Sequence, residues 1–286
     1  MTDAGEEPRL EITRRVVTLE RVASLVDRGR ELAAALSRDA FISIATPGLN
    51  SLALKRDGSL WAWGYNFRGM LGLGDEEHRD RPVRVGDDAD WGAVARGPGP
   101  ALKRDGSLWA WGRNRHGQLG LGDKEDRERP VRVGDDADWW AVVGGGTHTL
   151  ALKRDGALWA WGANDHGQLG LGDKEDRERP VRVGDDADWA AAAGGAWHSL
   201  ALKRDGALWA WGYNFRGQLG LGDKEDRERP VRVGDDADWA AVAGGAGHSL
   251  ALKRDGSLWA WGVNSYGELG LGDHTDRWVP TLVGAP

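Results

Sequence analysis

Residues Ala201–Gly212 read ALKRDGALWAWG, and the fold follows from how these twelve residues are arranged. Asp205-Gly206 is a tight hairpin turn, because glycine accepts the positive φ such a turn needs and aspartate tolerates it nearly as well. Leu200 and Leu202 alternate with Ser199 and Ala201 before the turn, while Trp209 and Trp211 share one face after it and Leu208 and Ala210 share the other. The hairpin is apolar on both faces, so both must be covered. The chain supplies the covers by repetition, at Ala53–Gly64, Ala101–Gly112, Ala151–Gly162 and Ala251–Gly262. The first hairpin tryptophans fall at Trp61, Trp109, Trp159, Trp209 and Trp259, at intervals of 48, 50, 50 and 50 residues. Repeats of this length are supersecondary units that stack on their neighbours.

Each copy reads as four strands: an inner one such as Ala240–Ala243, the two hairpin strands, and an outer one such as Val231–Val233 after Pro230. Four antiparallel strands per copy make a propeller blade. The expectation is an all-β protein with a five-bladed propeller over 41–286, closed as a ring or left as an open arc, preceded by a separate segment over 1–40. In that segment Arg9–Leu19 suits a strand. Val22, Leu25, Leu32 and Leu36 draw an apolar stripe along a helix, docked on the propeller or offered to a partner as a contact helix. The copies begin on an inner strand, Phe41–Ile44, and end on an outer one, Val279–Val283, so no blade is shared between the two chain ends. Phe41, Ile42 and Ile44 at one end, with Trp278 and Leu282 at the other, depart from the repeat toward apolar residues, as caps or docking faces would.

Of 286 residues, 44 are glycine and 40% are hydrophobic, which suits stacked small sheets better than one large core. The acidic, polar start and the lack of a long apolar run predict a cytoplasmic protein with no membrane contact. The absence of cysteine excludes disulfides and thiolate metal sites. A net charge of −7 speaks against a chain-wide nucleic-acid footprint, so no nucleic-acid partner is expected.

The stretch GHSLALKRDGSLWAWG at Gly247–Gly262, with NSYGELGLGD at Asn264–Asp273 and a Pro-Thr-Leu-Val outer strand, resembles the repeat of the regulator-of-chromosome-condensation family. The likeness runs from about Phe41 to Val283 and recurs in five copies. It implies a β-propeller, usually of seven blades, in a compact version like those of bacterial proteins. None of the copies carries the inserted wedge that the family's eukaryotic exchange factor uses against its small GTPase. The resemblance therefore implies fold more than function.

The loops after the hairpins, such as NFRGQLGLGDKEDRERP, alternate in charge and read as solvated. The second copy is irregular, with ARGPGPAL at Ala95–Leu102 two residues short and carrying two prolines. His148, His198 and His248 recur at one point of three copies, but Asn50 and the Pro98–Pro100 stretch replace them in the others. We therefore expect each to bond its own blade's backbone, and no metal or other cofactor is assigned. The GDDADW connections read as a solvated acidic rim closed by a partly exposed tryptophan plug, and the KRDG turns as cations neutralised by it. His and Ser at adjacent positions point to opposite faces of a strand and cannot pair as nucleophile and base.

These features predict a protein that is not an enzyme: a non-catalytic interaction scaffold within a larger bacterial assembly. Its partner would be gripped by Tyr65, Phe67, Arg68, Arg113, Arg115, Tyr213, Phe215, Arg216 and Tyr266 in the loops. Self-association through the N-terminal segment or the end blades is a further expectation. The alternative is a lectin-like propeller holding one small ligand per blade, with the loop aromatics as stacking platforms. Against that, Arg113 and Arg115 in the second copy and Ala163 and Asp165 in the third replace the aromatics.

Overall fold

The computed structural model describes residues 39–46, 48–95 and 99–284. From Phe41 onward it contains five four-stranded antiparallel sheets, each built from one contiguous stretch and ordered as in the sequence. Blade 1 comprises Phe41–Ala45, Asn50–Lys55, Leu60–Gly64 and Arg79–Arg84, and blade 2 comprises Trp91–Val94, Ala101–Lys103, Leu108–Gly112 and Arg127–Arg132. In blade 3 the strands are Trp139–Gly144, His148–Lys153, Leu158–Gly162 and Arg177–Arg182. Blade 4 follows with Trp189–Gly194, His198–Lys203, Leu208–Gly212 and Arg227–Arg232, and blade 5 with Trp239–Gly244, His248–Lys253, Leu258–Gly262 and Arg277–Leu282. The outer strand thus starts three residues before its proline, which sits inside an edge strand where its missing N–H is tolerated. Val22, Leu25, Leu32 and Leu36 lie outside the described residues. Within those residues there is no α-helix, so the N-terminal helical segment gains no support.

The hairpin register matches the repeat, with Ala201 opposite Trp209 and Ser199 opposite Trp211. At its turn, Gly206 has φ +90°, and a Cβ there would strike the carbonyl of Ala237 in the next blade. The position therefore needs glycine twice over, for the turn and for the junction. Each junction joins the leucine-bearing front face of one blade to the tryptophan-bearing back face of the next: Leu200, Leu202, Leu208 and Ala210 of blade 4 pack with Trp239, Ala251 and Trp261 of blade 5.

Trp111, Trp161, Trp211 and Trp261 are fully buried in these junctions. Trp61 belongs to the other tryptophan position and is half-buried, like Trp109 and Trp209; Trp63 is its blade's counterpart of Trp211. The connection tryptophans Trp91, Trp139, Trp189 and Trp239 are also buried, not the partly exposed plugs expected, because the preceding blade's hairpin turn closes over them. The second blade is the defective one. Among the described residues its KRDG hairpin pairs only Ala101 with Trp109 and Leu102 with Leu108, where the others pair five positions.

Among the described residues no strand of blade 1 packs against a strand of blade 5 as the successive blades pack on one another. The propeller is an open arc. Its consequence is visible at the ends: Leu202 is 3% exposed, whereas Leu252, its counterpart on the last front face, is 42% exposed.

Candidate functional site

The arc presents two rims of different character. On the hairpin rim each KRDG lysine is held between two tryptophans and two aspartates. Lys203 Nζ lies 5.0 Å from the ring centres of both Trp189 and Trp209, and 2.7 Å and 3.1 Å from carboxylate oxygens of Asp186 and Asp188. Burial alone would lower its pKa, but the two carboxylates outweigh burial and raise it. The cage recurs at Lys103, Lys153 and Lys253. Each cage is filled by the blade's own lysine, while its aspartates stay about half exposed, so the acidic rim is solvated and partly neutralised from within.

The opposite rim carries the long loops, and these are built structures, not the merely solvated loops expected. Asn214 is buried and holds its loop from within: its Oδ1 accepts from Leu219 N at 3.0 Å and its Nδ2 donates to Asp223 O at 3.1 Å. Arg227 then donates to Asp223 at 2.6 Å. Burial pushes the Asp223 carboxyl upward, yet the bonds from Glu225 N and Arg227 prevail and keep it below the usual carboxylate range. The same clip recurs around Asn114, Asn164 and Asn264. It makes a rigid platform for whatever side chains stand on it.

What stands on it differs between copies. In blades 3 to 5 an aromatic array crosses the rim. Tyr213 lies 4.5 Å from His166, 6.0 Å from Trp197 and 6.4 Å from Phe215 between ring centres. Lys224 extends the array, 5.9 Å from Phe215 and 4.4 Å from Trp278. Trp197, Phe215 and Trp278 each remain about half exposed. Blade 1 carries a smaller version, with Tyr65 6.1 Å from Phe67 and 4.7 Å from His78.

The predicted binding residues divide accordingly. Tyr65 and Phe67 cluster at one end of the arc, Tyr213 and Phe215 at the array, and Tyr266 stands almost wholly in solvent. Arg68 and Arg216 are junction groups, bonded to Asp126 at 2.6 Å and Asp276 at 3.4 Å in the next blade. Arg113 is half-buried and Arg115 exposed. Sequence reasoning missed Trp197 and Trp278 as site residues. Both replace another residue type of the repeat, Gly247 and Glu228 respectively, and that departure is the signal that marks them.

Between the inner strands lies a cavity of about 450 Å³ lined by Thr46, Gly145, Gly195 and Gly245. The repeated histidines do not bond their own blade's backbone through Nε2. His148 Nε2 meets Ser199 Oγ of the next blade at 2.9 Å, and His198 Nε2 meets Ser249 Oγ at 3.0 Å. Since Ser199 donates its proton to Gln168 O and Ser249 to Gln218 O, each imidazole is the donor. A His–Ser pair thus forms across copies where it cannot form within one, but its hydroxyl is buried and committed to a carbonyl. Burial lowers the pKa of His148 to about 4; it lowers that of His198 to about 3, with the neighbouring histidines adding to the effect. A different group, His116, Asp165 and Asp176, lies within 4.8 Å. Its His116–Asp176 contact of 3.1 Å is repeated as His166–Asp226 at 3.0 Å, with Phe215 in place of the third acid, so it reads as a junction contact.

Comparison with known proteins follows the repeat. Residues 101–286 match the RCC1-like domain family, and residues 57–97 match the regulator of chromosome condensation (RCC1) repeat. The chain belongs to the RCC1-like domain family. Among solved structures, human WBSCR16 is 25% identical with a TM-score of 0.77, over 86% of this chain and 67% of that one. Yeast RCC1 (Prp20) bound to Kap60 is 21% identical with a TM-score of 0.69, over 86% of this chain and 75% of that one. Prp20p of Saccharomyces cerevisiae, described with its binding properties to Gsp1p and histones, is 22% identical with a TM-score of 0.69, over 86% and 77%. No curated protein sequence matches. These neighbours overturn the expectation that the chain is not an enzyme, since WBSCR16 and RCC1 are guanine-nucleotide exchange factors, an activity of the catalytic kind.

Proposed function

We propose that this RCC1-like arc recognises a partner protein on its loop rim, through the array of Trp197, Tyr213, Phe215 and Trp278 with Lys224 and Arg216. The observation that carries this reading is a contiguous, half-exposed aromatic array standing on loops clipped rigid from beneath. Aromatic and arginine side chains dominate binding energy at protein interfaces, and a rigid array loses little entropy on binding. Isolated exposed aromatics need no explanation, but a connected group spanning three repeats does. The yeast neighbour's described binding to Gsp1p, histones and Kap60 supports a protein partner over a small ligand. So does the unevenness of the rim, since a ligand held once per blade needs its platform in every copy.

The test is affinity capture from the native host with the wild-type chain and with a Trp197→Ala, Phe215→Ala, Trp278→Ala variant, read by quantitative mass spectrometry beside a glycan array. One or a few proteins retained by the wild type and lost by the variant are expected. An unchanged protein set, or a glycan bound through these residues, would overturn the reading.

A further inference from the structure

Two departures from the repeat meet at the junction of blades 3 and 4, on the hairpin rim and apart from the aromatic array. The position after the connection tryptophan is Gly92, Ala190 or Ala240 in blades 2, 4 and 5, but Trp140 in blade 3. Two residues further along, Val94, Val142 and Val242 each pack into the junction with the preceding blade. Blade 4 has Ala192 there instead, so the blade 3–4 junction is the one that lacks this valine. The space it leaves belongs to a cavity of about 140 Å³ between the inner strands, walled by Val143, Leu150 and Leu152 of blade 3 and by Ala190 and Ala192 of blade 4. Trp140 and Ala190 also line a wider mouth of about 420 Å³, together with Trp189, Arg154 and Arg204. Trp140 is half exposed at this mouth. Blade 3 has thus added an apolar wall at the entrance, and blade 4 has cleared the space behind it.

The mouth also holds cations that no group neutralises among the described residues. The cage lysines are bound, Lys153 to Asp136 and Asp138 at 2.6 Å and 3.0 Å, and Lys203 to Asp186 and Asp188. In blade 2 the guanidinium of Arg104 donates to Arg56 O at 3.2 Å. Arg204 reaches over the Gly156 turn of blade 3 in the same sense, where an added Cβ would lie 2.7 Å from its Nη2. Yet neither its guanidinium nor that of Arg154 has a hydrogen bond or ion pair among the described residues.

We propose that this slot binds a small monocarboxylate with an apolar body. The body enters the cavity between the inner strands, the carboxylate meets Arg154 and Arg204, and Trp140 covers the ligand at the mouth. Small-molecule sites are apolar clefts in which a few polar groups fix orientation. A dry apolar cavity of about 150 Å³ takes a benzene-sized group, which sets the size of the body. Guanidinium groups match the two oxygens of a carboxylate. The charge of the ligand is limited by its surroundings, since the half-exposed Asp136, Asp138, Asp186 and Asp188 outnumber the lysines that hold them. Such a rim repels polyanions at a distance and admits a single charge held at contact.

The experiment is ligand-observed NMR, with saturation transfer from the full chain to 3-phenylpropanoate and, as the uncharged counterpart, to 3-phenylpropanamide. The acid is expected to bind, and the amide about tenfold more weakly, the loss expected when a hydrogen bond to a charged group is given up. Ala192→Val restores the residue of the other junctions and fills the cavity, so it should abolish transfer while the melting temperature stays at or above that of the wild type. Arg154→Gln with Arg204→Gln, on the surface, tests the site independently of packing: it should weaken the acid about tenfold and leave the amide unchanged. The proposal would be overturned by an acid that does not bind, that binds Ala192→Val as well as the wild type, or that binds no better than the amide. A peptide ending in phenylalanine offers the same chemistry, and its binding in place of the free acid would also overturn it.

Discussion

Blades 4 and 5 carry nearly the same residues and live in different surroundings. Leu200-Ala201-Leu202 and Leu250-Ala251-Leu252 occupy the same strand position, yet Leu202 is buried and Leu252 open. His198 is wholly buried and bonded to Ser249, whereas His248, on the last blade, is only partly buried. The difference teaches that in a stacked repeat the neighbour, not the residue's own copy, decides what a side chain contributes. Identical substitutions in the two blades should therefore have unequal costs.

The largest contrast is expected for tryptophan. Trp211→Ala should cost about 3–5 kcal/mol, the range for truncating a core aromatic. Trp63→Ala, at the open back face, should cost less than about 2 kcal/mol in dilute solution, since less contact is lost there. Equal losses in chemical denaturation would mean that blade 1 is covered.

Acid comes next. The pKa of His148 is about 4 in the fold against 6.5 for the ordinary imidazole, and that of His198 is lower still, so both are held neutral. A histidine with a lowered native pKa contributes stability above its unfolded pKa and loses it as pH falls toward the native value. Stability should fall steadily from pH 6.5 to about 4, by roughly 3 kcal/mol for His148 alone. Phe replacing His148 should remove its share of that slope and leave the share of His198, and a slope unchanged by the replacement would locate the titration elsewhere.

A smaller difference is expected at the leucines. Leu202→Ala should cost about 2–4 kcal/mol and Leu252→Ala below about 1 kcal/mol, the second measured at a dilution that keeps chains apart. The smallest expected effect is none: EDTA should leave the melting temperature unchanged, and a drop restored by zinc would show that His116, Asp165 and Asp176 hold an ion.

Blade number, blade composition and the unshared ends were legible in the sequence because each depends on local pattern: a turn dipeptide, an alternation and an interval. What was not legible depends on contacts between copies. His248 and Ser249 point apart within a strand, and nothing in one copy announces that His198 reaches Ser249 of the next. The connection tryptophans looked partly exposed because the Gly206 turn that covers Trp239 lies in another repeat. The candidate site was half legible. Tyr213 and Phe215 stood out as loop aromatics, while Trp197 and Trp278 acquire meaning only when a Gly and a Glu at matching positions show that they break the repeat.

The shortened hairpin of blade 2 has a mechanical consequence. From blade 3 to blade 5 the first hairpin strands are tied by two successive imidazole-to-hydroxyl-to-carbonyl relays, through Ser199 to Gln168 and through Ser249 to Gln218. Blade 2 supplies neither relay, and its first hairpin strand of three residues is paired to the second at two positions. Bending stiffness along the arc is therefore uneven, and twist applied to the whole concentrates at one soft coil between blade 1 and the rigid group of three, like a spring with a single thin turn.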